Sequence, residues 1–402
     1  MVPNGWKLST IEEISSVSSG GTPSRKNESY WNGNIPWVTT AEVQFKIIED
    51  TAEKITEEGL ANSSAKLFPV DTILIAMYGQ GKTRGQVAKL GIEASTNQAC
   101  AAIILKAGYH VDYYYQFLIS QYDNIREMAN SGGQENLSGG IVKSIKVPVP
   151  PLPEQKKIAK ILSTWDKAIS TTEKLIATSQ QQKKALMQQL LTGKKRLVNP
   201  ETGKAFEGEW EWLKASELFK TVSKKNNSDS EELLSVTQDQ GVLPRSILER
   251  RVVMPDGSTK GYKLVVPGNF IISLRSFQGG LEYSRYRGLV SPAYTVLEPV
   301  KPINNEFYKQ YYKSYNFIGH LAVAVIGIRD GKQISYSDFS FLKLPYPKVK
   351  EQQKIAAVLT NADKEIELLQ AKLTHLKDEK KALMQQLLTG KRRVKVDENV
   401  AA

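Results

Sequence analysis

The sequence predicts an α+β protein in which two mixed α/β domains alternate with two long α-helices that form an antiparallel intramolecular coiled coil, with pseudo-two-fold symmetry. The first observation is an internal repeat, because the string KKALMQQLLTGK occurs at 183–194 and again at 380–391. The repeat extends without insertion over 154–196 and 351–393, where 22 of 43 positions are identical. The second observation is the heptad spacing of apolar residues in both copies.

The second repeat has the stricter heptad seam, with spacings that alternate between four and three. Its seam residues are Ile355, Leu359, Ala362, Ile366, Leu369, Leu373, Leu376, Lys380, Leu383 and Leu387. The first repeat keeps the same register, but Thr172, Ser179 and Lys183 interrupt its seam. We therefore expect the first helix to pack against the second. A helix from Glu154 to Leu191 would be about 57 Å long at roughly 1.5 Å per residue.

Residues at the ends of the two repeats mark where the helices start and stop. Prolines precede each repeat, and Glu154 or Glu351 lies in the first turn, where the helix dipole favours a carboxylate. Gly193 and Gly390 stand at the C-terminal cap and are followed by basic residues. The sequence therefore predicts two well-delimited helices.

The helices divide the chain into five segments. We predict a first mixed domain at 1–150, a helical region at 151–196, a second mixed domain at 197–347, a second helical region at 348–393 and a tail at 394–402. The candidate strands are bounded by turn residues and lie at Thr72–Met77, Ala101–Leu105, Asn269–Leu274 and Tyr294–Leu297. Short helices are predicted near Tyr113–Met128 and Glu306–Leu321.

The basic residues are unevenly distributed along the 402-residue chain, whose net charge is +12. The first mixed domain with its flank has a net charge of −2, the two helical repeats carry +7 and +3, and the second mixed domain with its flank, at 197–350, carries +5. A net positive charge favours a polyanionic partner, although the charge on the helices is equally typical of a solvated face.

Several classes of protein are disfavoured by composition. The single cysteine, Cys100, excludes an internal disulfide and fits a reducing cytoplasm. The three histidines His110, His320 and His375 are scattered, so we expect no metal site. No run approaches the roughly 18 apolar residues that span a bilayer, so neither secretion nor membrane insertion is expected.

A glycine- and glutamine-rich loop follows a predicted strand in each mixed domain, where Gln80-Gly81 matches Gln278-Gly279. In the first domain this stretch, AMYGQGKT at 76–83, resembles the phosphate-binding G-x-x-x-x-G-K-[ST] loop. Ala76 replaces the first glycine, and further glycines follow where a long helix should start. The second domain has SFQGGLEY instead. These departures disfavour nucleotide binding, and both loops suit surface recognition.

The repeat phrases resemble those of the specificity subunit of Type I restriction–modification systems. The matching phrases are PVPPLPEQKKIAKIL and KLPYPKVKEQQKIAAVL before the helices, KALMQQLLTGKKR and KALMQQLLTGKRR at their ends, and GGTPS and YWNGNIPWVT in the first domain. The resemblance covers essentially the whole chain. LLSVTQ stands where the first domain has IPWVT, so the reading residues of the second domain cannot be transferred from the first.

The resemblance implies two target-recognition domains, each reading one half of a split double-stranded DNA target, and helices that set the spacer and dock modification subunits. It implies a chain that is not itself an enzyme and binds no cofactor. Two modification subunits would bind S-adenosylmethionine and methylate adenine, and restriction subunits would use ATP and Mg²⁺.

Amide, guanidinium, ammonium and hydroxyl groups near the predicted loops are the candidate DNA contacts, because they can pair with base edges or phosphates. In the first domain these are Thr39, Thr40, Gln80, Lys82, Arg84, Asn97, Gln98, Gln134 and Asn136. In the second they are Thr237, Gln238, Arg275, Gln278, Arg285, Arg287, Arg329, Lys332 and Gln333. Any one of them also suits an ordinary surface or turn position.

Two other functions remain open on residues alone. Heptad helices also suit a coiled-coil scaffold that joins partner proteins without binding DNA. The glycine-rich loop leaves room for an enzyme with a degenerate nucleotide site.

Overall fold

A computed structural model describes residues 2–79, 81–130, 136–225, 231–238, 240–248, 259–274, 276–324 and 334–396. The chain forms two compact units. Unit 1 contains Met1–Glu173 and Ala371–Ala402, and unit 2 contains Lys174–Gln370. The division falls within both long helices at repeat-equivalent positions, so each unit contains the first half of one helix and the second half of the other.

Unit 1 is built on short strands with helices packed against them. Its strands are β1 (Lys7–Thr10), β2 (Ser15–Ser19), β3 (Trp31–Val38), β4 (Ile47–Ile48), β5 (Glu53–Ile55), β6 (Leu67–Phe68), β7 (Ile73–Ala76), β8 (Val87–Leu90), β9 (Ala94–Thr96), β10 (Cys100–Leu105) and β11 (Lys146–Val149). Its helices are α1 (Ile11–Ile14), α2 (Glu57–Ala61), α3 (Val111–Ser120), α4 (Tyr122–Asn130), α5 (Gly139–Ser144) and the first half of α6 (Leu152–Leu190). Short 3-10 turns occupy Glu28–Tyr30 and Thr40–Glu42.

Two larger sheets organise unit 1. One has the order β2-β10-β7-β8-β4 and the other the order β5-β3-β9-β6, while β1 pairs with β11. The apolar runs predicted to be strands become β7 and β10, which are neighbours in the first sheet and pair antiparallel. Ile73 and Ile103 form one of their registered pairs, and both are buried. These strand predictions are confirmed.

Unit 2 repeats this style with shorter sheets. Its strands are β12 (Glu211–Lys214), β13 (Phe219–Val222), β14 (Leu234–Thr237), β15 (Gly241–Pro244), β16 (Lys263–Val265), β17 (Phe270–Ile272), β18 (Glu282–Tyr283), β19 (Gly288–Val290), β20 (Thr295–Pro299) and β21 (Lys343–Tyr346). Its helices are α7 (Ala215–Leu218), α8 (Ser276–Gly279), α9 (Asn305–Tyr312), α10 (Tyr315–Ala324), α11 (Tyr336–Ser340) and the first half of α12 (Val349–Leu387), with 3-10 turns at Arg245–Ile247 and Thr259–Gly261.

The central sheet of unit 2 has the order β13-β20-β17-β18, beside the pairs β12-β21, β14-β15 and β16-β19. The two strands predicted in this domain correspond to β17 and β20, and the helical patches predicted in the two domains correspond to α3 with α4 and α9 with α10. Each patch is two helices rather than one. The chain turns at Gln121 and at Lys313 between them.

The long helices α6 and α12 have the predicted extent and caps. Each spans 39 residues. Gly193 and Gly390 both have φ of +72°, the left-handed conformation of a C-terminal cap. Lys195 N donates to Gln189 O at 3.1 Å and Arg392 N donates to Gln386 O at 3.0 Å, which satisfies carbonyl groups at the helix ends.

The two helices pack together antiparallel within each unit, as predicted. In unit 1, Ile158 and Leu162 near the start of α6 share a core with Leu387 near the end of α12. In unit 2, Leu190 at the end of α6 shares a core with Leu359 near the start of α12. Both cores also contain the aromatic residues of α3 or α9, so the helices are part of the fold of each unit.

Polar residues of the heptad seam make paired contacts rather than breaking the helix pair. In unit 1, Lys380 Nζ lies 2.6 Å from Asp166 Oδ1, and Gln116 Nε2 lies 2.5 Å from Asp166 Oδ2. The repeat-equivalent contacts in unit 2 join Asp363 to Lys183 and Gln310. The interruption predicted at Lys183 is therefore a partly buried ion pair with the other helix.

Within the described residues, no helix is both long and apolar enough to cross a membrane.

Candidate nucleic-acid interface

Three backbone hydrogen bonds join the segments of unit 1 that carry predicted reading residues. Asn97 N donates to Val38 O at 2.9 Å, Met77 N to Ala99 O at 2.8 Å, and Leu137 N to Met77 O at 3.0 Å. The first bond lies just beyond the parallel strands β3 and β9, so the residues after both strands share one sheet edge. The candidates at 39–40, 82–84, 97–98 and 136 therefore lie on neighbouring segments.

Polar side chains at this edge hold the loops in place. Thr39 forms a capping box with Glu42, whose carboxylate accepts from the Thr39 amide at 2.7 Å. Asn97 Oδ1 accepts from Ala99 N at 3.1 Å, and Gln98 Oε1 accepts from the hydroxyl of Thr22. Part of the hydrogen-bonding capacity of these candidates is therefore used inside the protein, while Gln98 is exposed to solvent.

The segment after β7 leads into the strand β8. These two strands pair antiparallel, with Ile75 opposite Val87. A phosphate-binding loop of the G-x-x-x-x-G-K-[ST] type instead leads from a strand into a helix. The nucleotide-site hypothesis is therefore wrong for this segment. Lys82 is exposed at its tip, and Arg84 is half-buried.

In unit 2 the candidate residues surround the turn between β14 and β15. Thr237 Oγ1 donates to Gly241 O at 2.8 Å, which closes the turn. Lys313 Nζ reaches the main-chain oxygens of Gln238 at 3.1 Å and of Gly279 at 2.9 Å. The turn and the segment after β17 are therefore adjacent. This segment was predicted to be an exposed loop, but it forms the short helix α8 (Ser276–Gly279).

A groove of about 650 Å³ opens beside this turn, within unit 2. Gln238, Gln240 and Arg285 line it together with residues of α9 and of the first half of α12. Five lysine or arginine residues and three carboxylates line the groove, and Lys183 and Lys313 are each paired with one of these carboxylates. The amide groups add hydrogen-bonding capacity suited to base edges.

The two described arginine candidates of unit 2 are held by carboxylates. Arg285 Nη2 donates to Glu306 Oε1 at 2.6 Å, and this hydrogen bond raises the pKa of the Arg285 guanidinium. Arg287 Nη2 lies 2.7 Å from Glu231 Oε1. Both arginine side chains remain more than half exposed, at 57% and 58%. Such exposed pairs are weak, so a phosphate can compete for either guanidinium.

Several candidates lie wholly or partly outside the described part of the structure. Gln278 lies in α8, but its side chain is outside the described part of the structure. The remaining candidates lie outside the described residues altogether and are Gln80, Gln134, Arg275, Arg329, Lys332 and Gln333.

Sequence reasoning missed three residues that hold the two loops: Tyr122, Arg126 and Lys313. Tyr122 Oη donates to Lys82 O at 2.6 Å, and Arg126 Nη2 donates to Gly81 O at 2.9 Å. Tyr122 lies 40 positions from Lys82, Arg126 lies 45 positions from Gly81, and Lys313 lies 34 positions from Gly279. Because these separations are long, neither periodicity nor a local motif indicated the contacts.

The described residues contain no group of three or more His, Cys, Asp or Glu side chains arranged to hold a metal ion. Cys100 is fully buried, and burial raises the pKa of its thiol to about 12. A protonated, inaccessible thiol is a poor nucleophile.

The Type I restriction–modification DNA specificity domain matches this chain twice, at residues 3–178 and 207–378. A putative specificity subunit of the MjaX enzyme from Methanocaldococcus jannaschii is 29% identical over 98% of this chain and 95% of that protein. The MjaIX specificity subunit from the same organism is 33% identical, over 43% of this chain and 40% of its own length.

A solved structure has a similar fold. The S subunit of a Type I restriction–modification system from M. genitalium superposes with a TM-score of 0.60 over 96% of this chain and 98% of that chain, at 15% identity. Because the domain match covers most of the sequence, the chain belongs to the DNA specificity subunits of Type I restriction–modification systems, the non-catalytic chains of these enzymes.

Proposed function

We propose that this chain is the DNA-reading subunit of a Type I complex, with recognition domains at 1–150 and 197–347 that each read one half of a bipartite target. One observation carries the proposal. The two units share the same helix contacts through repeat-equivalent residues, but their polar loops carry different side chains. A common frame with divergent surface loops is what two independent readers require.

The loop chemistry suits both kinds of DNA contact. Amides such as those of Gln98 and Gln238 can pair with adenine edges in the major groove, and arginines such as Arg285 can pair with guanine. Lys82 suits a phosphate contact, which positions the protein without reading sequence. Base reading and phosphate anchoring can therefore be supplied by neighbouring residues.

The helical regions at 151–196 and 348–393 set the spacing between the half-sites in this proposal. A 39-residue helix is about 58 Å long at roughly 1.5 Å per residue, so it can separate two reading surfaces by more than one turn of DNA. The helices also dock the partner proteins, because their outer faces carry the excess of basic and polar residues.

The partners are double-stranded DNA, two modification subunits and, for restriction, translocase–nuclease subunits. The modification subunits bring S-adenosylmethionine and methylate adenine, and the restriction subunits bring ATP and Mg²⁺. The complex acts in the cytoplasm, and this chain supplies target choice rather than a cofactor site.

The test is expression of the chain with its modification subunits in a host that lacks adenine methylation at such targets, followed by methylation-sensitive sequencing. We expect one split motif with a constant unread spacer. Exchange of residues 1–150 for another recognition domain should change only one half of that motif. The modification subunits without this chain are the control. A pure scaffold would leave DNA unmethylated at any defined motif, and a change in both halves would contradict independent reading.

A further inference from the structure

A main-chain carbonyl after a central strand is held by a cation in both units. In unit 2 this is the carbonyl of Gly279, the last residue of the short helix α8. Gly81 follows β7 and Gly279 follows β17, and the two glycines correspond in the repeat. Gly81 O accepts from Arg126 Nη2 at 2.9 Å, and Gly279 O accepts from Lys313 Nζ at 2.9 Å. The two cations come from non-equivalent positions, so the same contact is made with different residues.

In unit 1 two linked side chains, Arg126 and Tyr122, hold two successive carbonyls. Arg126 Nη1 donates to Tyr122 Oη at 2.6 Å, and Tyr122 Oη donates to Lys82 O at 2.6 Å. Successive carbonyls of the loop are thus fixed by one guanidinium and one phenol. Gly85 makes room for this arrangement, because a Cβ there would lie 2.9 Å from Arg126 Cγ.

In unit 2 a single ammonium group performs the same task. Lys313 Nζ contacts the main-chain oxygens of Gln238 and Gly279 and the carboxylate of Glu282. Glu282 is only 1% exposed, so the Lys313 ammonium group is anchored by a carboxylate buried in the protein interior. Lys313 thereby ties the β14–β15 turn to the segment after β17.

We propose that Arg126 and Lys313 are positioning residues for DNA recognition, each shaping the reading loop of its own half-site while making no phosphate contact. This inference rests on the proposed function. Charge-assisted hydrogen bonds to main-chain oxygens are short and strong, and they restrict the segments that carry these oxygens, whose ordering would otherwise cost free energy on binding. A preorganised loop discriminates between bases because its side chains are already placed.

The two roles a cation can have differ in their measurable consequences. A phosphate contact strengthens binding to all sequences alike and contributes about one to the slope of log affinity against log salt concentration. A positioning residue affects the ratio between the cognate sequence and a sequence changed in one half-site. It leaves the salt slope unchanged.

The experiment uses the chain assembled with its modification subunits and the split target found by methylation sequencing. Binding is measured at several salt concentrations for the cognate duplex and for duplexes with one base pair changed in either half. We expect Arg126→Met to lower discrimination at the first half-site by about tenfold or more, without loss at the second and without a change in salt slope. We expect Lys313→Met to lower discrimination at the second half-site, without loss at the first and without a change in salt slope.

Matched controls remove a charge elsewhere in each unit. Lys146 and Lys343 are repeat-equivalent, exposed, and the first residues of β11 and β21. Lys146→Met and Lys343→Met should keep both discrimination ratios. Tyr122→Phe removes one hydroxyl while keeping the ring, and it should reproduce the direction of Arg126→Met at the first half-site. If Arg126→Met fails to fold, the result for Tyr122→Phe tests the positioning role in unit 1.

Unchanged discrimination in the variants, equal loss at both half-sites, or uniform loss with a lower salt slope would each overturn the positioning role. Failure of the unaltered complex to discriminate any sequence would instead overturn the proposed function itself.

Discussion

The buried carboxylate of Glu351 accepts two hydrogen bonds from the guanidinium of Arg196, from Nε at 2.6 Å and from Nη2 at 2.7 Å. Glu351 lies in the first turn of α12, and Arg196 follows the end of α6. Their repeat equivalents Glu154 and Arg393 form the same bidentate pair in unit 1. Each unit therefore joins the start of one long helix to the residues that follow the end of the other.

Arg196→Met should destabilise unit 2 by about 3 kcal/mol, because it leaves the Glu351 carboxylate, whose side chain is 1% exposed, without its charged partner. Urea unfolding followed by circular dichroism measures the change. The control is Lys350→Met, which removes the neighbouring exposed pair with Glu201 and should cost less than about 1 kcal/mol. Equal effects of the two variants would mean that burial of the pair is unimportant.

Leu359→Ala should cost about 2–5 kcal/mol, since Leu359 is fully buried where α12 meets the core of unit 2. Leu368→Ala on the same helix is the matched control. Leu368 is 72% exposed, and its truncation should change stability by no more than about 0.5 kcal/mol. Thermal melting of both variants tests the packing, and a neutral Leu359→Ala would contradict it.

Stability should fall as the solution is acidified below about pH 6.5, in part through His110. Burial lowers the pKa of this histidine from its ordinary value of 6.5, so the folded protein favours the neutral ring. Its stabilising contribution is present above the unfolded pKa and is lost as the pH falls towards the lower folded pKa. His110→Gln should show a smaller loss between about pH 7.5 and 5.5 in urea titrations.

His375→Gln, which removes an exposed histidine of α12, controls for the loss of a histidine as such. An acid-induced loss of stability in His110→Gln as large as in the unaltered protein would show that the His110 ring does not contribute.

Lengthening both helices should change the DNA spacer but not the bases read. We suggest four extra residues after Glu173 in α6 and four after Gln370 in α12, the repeat-equivalent positions where the units divide. Four residues add about 6 Å, close to two base pairs at roughly 3.4 Å each. Methylation sequencing reports the spacer directly.

Insertion into α6 alone is the comparison, because it mismatches the two helices and should reduce methylation. An unchanged spacer with full activity after the double insertion would show that the helices do not set the distance.

The sequence by itself determined the repeat, the long helices and their ends. Heptad spacing, the acidic first turn at Glu154 and the capping glycine Gly193 are local features, and each acts through neighbours within one or two helical turns. The same holds for strands such as β7, whose apolar run is bounded by turn residues. These predictions were confirmed because local interactions join residues that are close in the sequence and therefore leave a recognisable pattern in it.

The tertiary structure alone decided how distant residues are used. The sequence pattern indicated Lys183 as an interruption of the apolar seam, yet Lys183 pairs with Asp363, 180 positions away in the sequence. Arg126 and Lys313 belong to no recognisable sequence motif. Only the folded topology brings their side chains to the carbonyls of Gly81 and Gly279, respectively. Such contacts depend on strand order and helix pairing, which a single sequence does not encode as a local pattern.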